Sequence, residues 1–307
     1  MSEPAKWNFR HPLFKIVNLP NLLFLAIIYM ISWPSLVNTK SPVILIIVVC
    51  LVELYFIIGC LIQNKRRCLD ISSILLAFFA FWQYSTKTGR GHSLLMPPME
   101  NVLYVLYSHR VELFKGLRSS LELIFWGLGL AIILAVVLGI LVGWFVRLRE
   151  AVMPIVGVIS PIPALAYTTY VVAIMPSFKS ASVVVIFLGV FWAFFSLVIR
   201  TVGTMDQKIV ESARVMNVGS VTMIKDVVYP YVLPTALRHL PSSFATAFMC
   251  LTGAEMIGAS SGLGFFIRKY AEYANYTNVL AGIIFMGIVV TLLSNVIKLI
   301  QKRFIKW

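Results

Sequence analysis

Four histidines, His11, His92, His109 and His239, offer the widest acid–base and metal-binding chemistry, yet no spacing among them suits a shared metal ion. The cysteines, Cys50, Cys60, Cys68 and Cys250, form neither a CxxC pair nor an even framework. Three of them sit in or beside apolar runs, so packing is their expected role. No Ser/His/Asp set and no pair of carboxylates stands where one element would unite them. These residues therefore predict no catalytic group, no metal and no cofactor. What stands out is ionisable chemistry inside apolar stretches: Glu53, Glu122 and Glu255 each fall in one. A charge at membrane depth costs enough to be a functional candidate by default.

A second group of chemistry-bearing residues fills a polar interval at 204–234, reading TMDQKIVESARVMNVGSVTMIKDVVYPYVLP. Thr204 with Gln207 three places on makes a capping-box pattern at a helix start. Met205, Ile209, Ala213 and Met216 then recur near helical spacing, with Asp206, Lys208, Glu211 and Arg214 on the remaining surface. Gly219 marks a break, a second helical stretch runs through Met223, Ile224, Val227 and Val228 towards Pro230, and Pro234 opens the next apolar run. Such a helix–turn–helix either docks in a groove of a partner protein or is an ordinary interfacial loop, and its periodicity favours neither.

The elements that position these residues follow from composition. The chain has 307 residues, 60% hydrophobic and only 12% charged, with a mean hydropathy of +0.90. Soluble domains carry about 25% charged residues, so a water-soluble enzyme is nearly excluded. Lys and Arg total 26 against 12 Asp and Glu, a net charge of +14 that alone would fit nucleic acid. The basic residues lie between long apolar runs, which favours a membrane asymmetry and no nucleic-acid partner. The first seventeen residues are polar and mixed, and the next run carries Pro20 and Pro34 without a small-residue cleavage pattern, so no removable signal peptide is expected.

A spanning helix needs about 20 apolar residues. That rule predicts spans near 18–37, 41–63, 120–146, 153–175, 180–203, 234–258 and 278–300, with a shorter run at 71–84. If Lys298, Lys302, Arg303 and Lys306 are cytoplasmic, Arg147, Arg149, Lys208, Arg214 and Lys225 follow them inside. Counting 71–84 as a crossing also brings Lys65-Arg66-Arg67 and the N-terminal Lys6, Arg10 and Lys15 inside, giving eight crossings with both termini cytoplasmic. The basic 85–118 interval, with Lys87, Arg90, Arg110, Lys115 and Arg118, falls outside, so either part of it lies as a helix on the outer surface or the eight-crossing reading fails there. Gly139 and Gly143 have the GxxxG spacing that lets helices approach closely in lipid. Pro161 and Pro163 predict a kink in the 153–175 span, either beside a translocation path or simply packed.

Glu211-Ser212-Ala213, followed by Val227 and Tyr229-Pro230, resembles the EAA signature of ABC-importer permeases, an acidic-small-small triplet followed by a glycine and later an aliphatic-x-leucine-proline. Asn217 stands in the glycine slot, with Gly219 two places later, and Asn tolerates a left-handed backbone better than most residues. Downstream, Ala254-Glu255-Met256-Ile257-Gly258 and Ser261-Gly262-Leu263-Gly264 look like the paired signature of the nitrate/sulfonate/taurine-type branch. Met96-Pro97-Pro98 and Ile162-Pro163 are similar to that branch too, and the likeness covers about residues 95–300.

The resemblance implies an all-α integral membrane protein, a type I ABC-importer permease bundle of about eight transmembrane helices: a six-helix family core plus two extra N-terminal ones. Residues 1–64 would form the extension and 65–307 the permease domain, with a coupling helix at about 204–230. Glu211, Ser212, Ala213, Arg214, Asn217 and Gly219 would dock in a separate ATP-binding cassette ATPase, and Glu255, Gly258, Gly262, Gly264, Pro161 and Pro163 would shape the gate or translocation path. The segment 259–277, with Arg268, Lys269, Tyr270, Tyr273 and Tyr276, would form the outer gate and docking surface, or its tyrosines would be interfacial anchors. A second permease subunit and an extracytoplasmic substrate-binding protein would complete an importer in the bacterial cytoplasmic (inner) membrane. The sequence has no GxxxxGK[ST] phosphate loop, so ATP hydrolysis is expected on the partner. The competing reading is an ion-gradient-driven secondary transporter, which would show paired broken helices in two matching halves, and no such repeat is evident. A membrane-embedded enzyme is disfavoured by the missing constellation.

Overall fold

A computed structural model describes residues 19–33, 39–62, 65–88 and 95–304, without the side chains of 60–67 and 304. His11, His92, Arg90, Lys6, Arg10, Lys15 and Lys306, and the side chains of Cys60 and Lys65-Arg66-Arg67, lie outside the described residues. The described residues form helices and no strand. They group into two units, one of the helices up to Arg110 with Tyr270–Ala281, the other of Val111–Lys269 with the last helix from Gly282.

In the first unit, α1 (Leu19–Ser32), α2 (Val43–Ile62) and α3 (Lys65–Lys87) pack together, and α4 (Met99–Ser108) rests on α2. The short apolar run at 71–84 extends at both ends into α3, of which Cys68–Lys87 is long and apolar enough to cross a membrane. Lys87 is 8% exposed and its Nζ donates to the Trp33 carbonyl at 2.8 Å. Trp82 Nε1 donates to the Pro97 carbonyl at 3.0 Å, and Gln83 Nε2 to Glu100 Oε1 at 2.6 Å. These bonds tie the MetProPro turn and the start of α4 to α3. The 85–118 interval holds α4, a 10-residue helix that buries Met99, Glu100, Val102, Leu103 and Val105.

The second unit is built on α5 (Arg110–Trp144) and α8 (Phe178–Gly203). Gly127, Ala131, Ala135, Gly139 and Gly143 are all buried at every fourth position of α5, a stripe that extends the GxxxG pair through five turns. A Cβ on Gly127, Gly139 or Gly143 would stand 2.7–2.8 Å from Ile186, Val198 or Val202 of α8. The stripe therefore sets how closely the two helices approach. On α8, Phe187, Phe191 and Phe195 stack one turn apart, with ring centroids 5.0 and 5.2 Å apart.

Several expected boundaries shift. The 120–146 span begins ten residues earlier, so α5 is roughly 52 Å long. The 153–175 span is not one helix. It divides into α6 (Val146–Ile159) and α7 (Ala164–Ile174), meeting at 89° across Ser160–Pro163. Two prolines in three residues supply no amide donors and push Ile162 away from helical geometry, so the ladder cannot continue. After the short helix α9 (Gln207–Val215), α10 runs unbroken over Ser220–Gly258. Pro230 and Pro234 lie within it, so Pro234 does not open the helix as expected. A π-helical turn at Met223–Val228 precedes them, where register can slip to accommodate the missing donors. The chain closes with α11 (Leu263–Glu272) and α12 (Tyr276–Phe304).

Among the described residues, four helices are long and apolar enough to cross a membrane, and six if each bent pair counts as one span. Large apolar side chains lie exposed along them, among them Ile74 at 70%, Phe125 at 71% and Val158 at 73%. In water such surfaces would be liabilities, whereas in lipid they are the expected exterior.

Candidate functional site

The polar interval folds into the short helix α9, a turn and the first part of α10. Asp206, extended at φ −62° and ψ 124°, caps α9 by accepting from the Lys208 N–H at 2.9 Å. The expected cap, Thr204, instead ends α8, its hydroxyl donating back to the Thr201 carbonyl at 3.1 Å. Thr204 and Asp206 both suit a cap, and only the backbone geometry selects between them. Glu211, Ser212 and Arg214 are exposed on α9 and Ala213 is half-buried. The Ser212 hydroxyl donates to the Lys208 carbonyl of its own helix at 2.7 Å, so it behaves as a small residue.

The turn after α9 is made by Asn217, whose φ is +57°, with its N–H donating to the Arg214 carbonyl at 2.8 Å. Gly219 has an ordinary φ of −66°, and a Cβ there would meet nothing within 4 Å. The break expected at Gly219 thus falls two residues earlier. Val215, Met216 and Val221 around this turn are 88%, 79% and 80% exposed, while Met205 and Met223 to either side are buried.

At the far end of α10, roughly 58 Å along its axis, lies a buried polar knot. Glu255, 1% exposed, accepts from the Ser120 hydroxyl at 2.6 Å and from the Gly264 N–H at 2.7 Å. Ser120 in turn accepts from the Leu263 N–H at 3.2 Å. One carboxylate and one hydroxyl from two other helices therefore cap the first two amides of α11, where a negative group is also favoured by the helix dipole. Gly262 takes φ +119°, and a Cβ on it would overlap the Glu255 carboxylate at 2.2 Å. A Cβ on Gly264 would stand 2.6 Å from the Thr252 carbonyl oxygen. Both glycines are required for the carboxylate to sit against the backbone.

The geometry brings Glu255, Gly262 and Gly264 together, but not Gly258, Pro161 or Pro163. Gly258 faces Phe178 and Val172, and the two prolines lie exposed in the α6–α7 break. Ser120 and Gly116 were not legible as partners of this knot. Gly116 lies where a Cβ would come within 3.1 Å of Gly262. Arg268 adds a clasp, with Nη1 donating to the Ile257 carbonyl at 2.8 Å and Nη2 to Ala259 at 3.0 Å, which caps the end of α10. Lys269 pairs with Glu112 at 2.9 Å. Ser119 and Ser261 share a hydrogen bond at 3.0 Å. Tyr273 is 76% exposed, whereas Tyr270 lies 3.4 Å from His109 Nδ1.

Glu122 is exposed on α5 and Glu53 is buried in α2, neither of them in the knot. Cys68 and Cys250 are buried free thiols, and Cys50 is an exposed one, which packing within the unit does not explain.

Comparison with known proteins bears on both ends of α10. Residues 117–307 match the family described as binding-protein-dependent transport system inner membrane component. SsuC of Bacillus subtilis, a permease named for aliphatic sulfonates transport, is 28% identical over 230 residues, 74% of this chain and 83% of its own. The taurine transport system permease protein TauC of Escherichia coli is 25% identical over 251 residues, 80% of this chain and 91% of its own. The nitrate import permease protein NrtB of Leptolyngbya laminosa is 27% identical over 193 residues, 63% of this chain and 69% of its own.

Proposed function

We propose that this chain, which belongs to the family of inner membrane components of binding-protein-dependent transport systems, draws its driving force from a separate ATPase docked on the α9 turn. The chain is a multi-pass membrane permease of an ABC importer, of the nitrate, sulfonate and taurine type, and it is not itself an enzyme. The observation that carries the docking surface is the exposed cluster of Val215, Met216 and Val221 beside Glu211 and Arg214. Three large apolar side chains, each about four-fifths exposed or more on a segment too polar to enter lipid, gain burial only against another protein. Half-buried Ala213 lets that partner approach the helix backbone, and Glu211 offers a carboxylate to its basic groups.

α10 then gives the mechanism its lever. The ATPase would move the α9 turn, and the continuous helix from Ser220 to Gly258 would carry that displacement to the Glu255 knot, where α11 is hinged at 43°. Gly262 and Gly264 keep that hinge tight, Gly258 keeps α10 close to Phe178, and the Pro161–Pro163 break gives the α6–α7 pair its bend. In this reading a second permease subunit completes the path, and a binding protein delivers a small polar or anionic solute to the outer side near 259–277. Both termini are cytoplasmic in the bacterial inner membrane. The segment up to residue 64 adds two helices to a permease domain that starts at 65.

The test is Glu211→Lys in the complex expressed with its neighbouring ATPase. Recovery of the ATPase with the tagged chain should fall about tenfold, as expected when one contact charge is reversed, while membrane insertion is retained. Wild-type recovery together with wild-type uptake would reject the docking surface.

A further inference from the structure

Midway along the second unit, α8 and α10 enclose a groove of about 280 Å³ that no part of the coupling mechanism uses. His239, Ser242, Ser243 and Thr246 all line it and recur at i, i+3, i+4 and i+7, one continuous face of α10. Opposite them α8 presents Ser196 and Arg200, with Gly189 and Ala193 also in the lining. No Asp or Glu lines the groove. Among the described residues, neither the Arg200 guanidinium nor the His239 ring has a hydrogen-bond or ion-pair partner.

The place of this face in the sequence makes it informative. His239, Ser242, Ser243 and Thr246 fall within the apolar run 234–258, and Ser196 and Arg200 within the run 180–203, both of the length that a hydrocarbon core of about 30 Å requires. A run of His, Ser, Ser and Thr turned to lipid there would be costly, so this face belongs against water or another polar surface. The hydroxyls of Ser242 and Thr246 already donate to the His239 and Ser242 carbonyls, at 2.8 and 3.1 Å. The donors left to a ligand are the Arg200 fork, a His239 N–H, and the hydroxyls of Ser196 and Ser243, a set with one positive charge and an excess of donors.

We propose that this groove is a binding station for an oxyanion, the sulfonate, nitrate or carboxylate group of the solute, with Arg200 as its charge partner and His239, Ser196 and Ser243 as donors. The proposal deepens the importer reading and rests on it for the supply of solute. The groove's size suits the head group of a small solute.

The test uses the full chain with Ser243→Cys, reconstituted with its ATPase. Labelling at residue 243 is followed by peptide mass spectrometry with two thiol reagents of similar size, anionic 2-sulfonatoethyl methanethiosulfonate and its cationic trimethylammonium analogue. The anionic reagent should react faster, and sodium ethanesulfonate, but not choline chloride, should slow it. Adding Arg200→Gln should cut the preference for the anionic reagent about tenfold or more, because a nearby charge at intermediate dielectric changes local ion concentration by at least that factor. Arg200→Lys, which keeps the charge, should keep the preference. Absence of labelling by both reagents, a preference untouched by Arg200→Gln, or a preference lost equally in Arg200→Lys would each overturn the proposal. Recovery of the ATPase with the wild-type chain is scored separately, so failure of the importer reading is recognised independently of the groove.

Discussion

The Glu255 knot permits a quantitative test because its partners come from three helices. Glu255→Ala removes two hydrogen bonds to a charged acceptor, each contributing about 1.5–3 kcal/mol, and leaves the Gly264 N–H as a buried donor without a partner. Relief of carboxylate desolvation offsets part of that loss, so the net cost should be about 3 kcal/mol. Ser120→Ala removes one of the same bonds together with the cap on the Leu263 N–H, and should cost about 2 kcal/mol. Because the Ser120–Glu255 bond is lost in either single variant, the double variant should be less destabilised than their sum by about 1–2 kcal/mol. Glu255→Gln keeps an acceptor for Gly264 and can donate to Ser120, so it should cost about 1 kcal/mol. Unfolding in mixed micelles with increasing dodecyl sulfate, followed through the chain's seven tryptophans, gives all four values. Additivity of the single variants within about 0.5 kcal/mol would refute the knot as a coupled unit.

Two further outcomes follow from backbone geometry and packing. At Asn217, with φ +57°, Asn217→Gly should leave stability within about 0.5 kcal/mol, whereas Asn217→Val should cost about 1–2 kcal/mol and reduce ATPase recovery, measured by the same unfolding and pull-down assays. Gly139→Ala places a methyl 2.7 Å from Val198 Cγ1 and should cost about 1–3 kcal/mol, with Val198→Ala in the same chain recovering much of it. Gly129→Ala, where a Cβ meets nothing within 4 Å, should be neutral or slightly stabilising and serves as the control in that unfolding series.

Hydropathy and charge were enough to read this chain as a bundle of membrane helices, because insertion sums local transfer free energies along the chain. The same locality made the amphipathic α9 legible, and it made Asn217 suitable for a left-handed turn. Locality also explains the misplacements. Thr204 and Asp206 are both good cap residues, and the choice of Asp206 depends on where α8 ends. Pro230 read as the end of one helical stretch and Pro234 as the start of the next, yet both lie inside the continuous α10, just after a π turn. Pro161 and Pro163 predicted a kink and do break the helix, but the 89° angle at that break was not legible, because α7 packs on α8 and α10 in one cluster with Ala164, Val171, Val185 and Cys250.

The contents of the sites were decided by tertiary structure alone. Ser120 and Glu255 are 135 residues apart, and nothing near either announces the other. Arg200 and His239 are unremarkable basic residues in the sequence, and only the packing of α8 against α10 brings both to one groove. A helix's hydrophobicity is a property of its own residues, whereas its rotation about its axis is fixed only when the volumes on several helices interlock. Which polar groups meet is settled by that rotation.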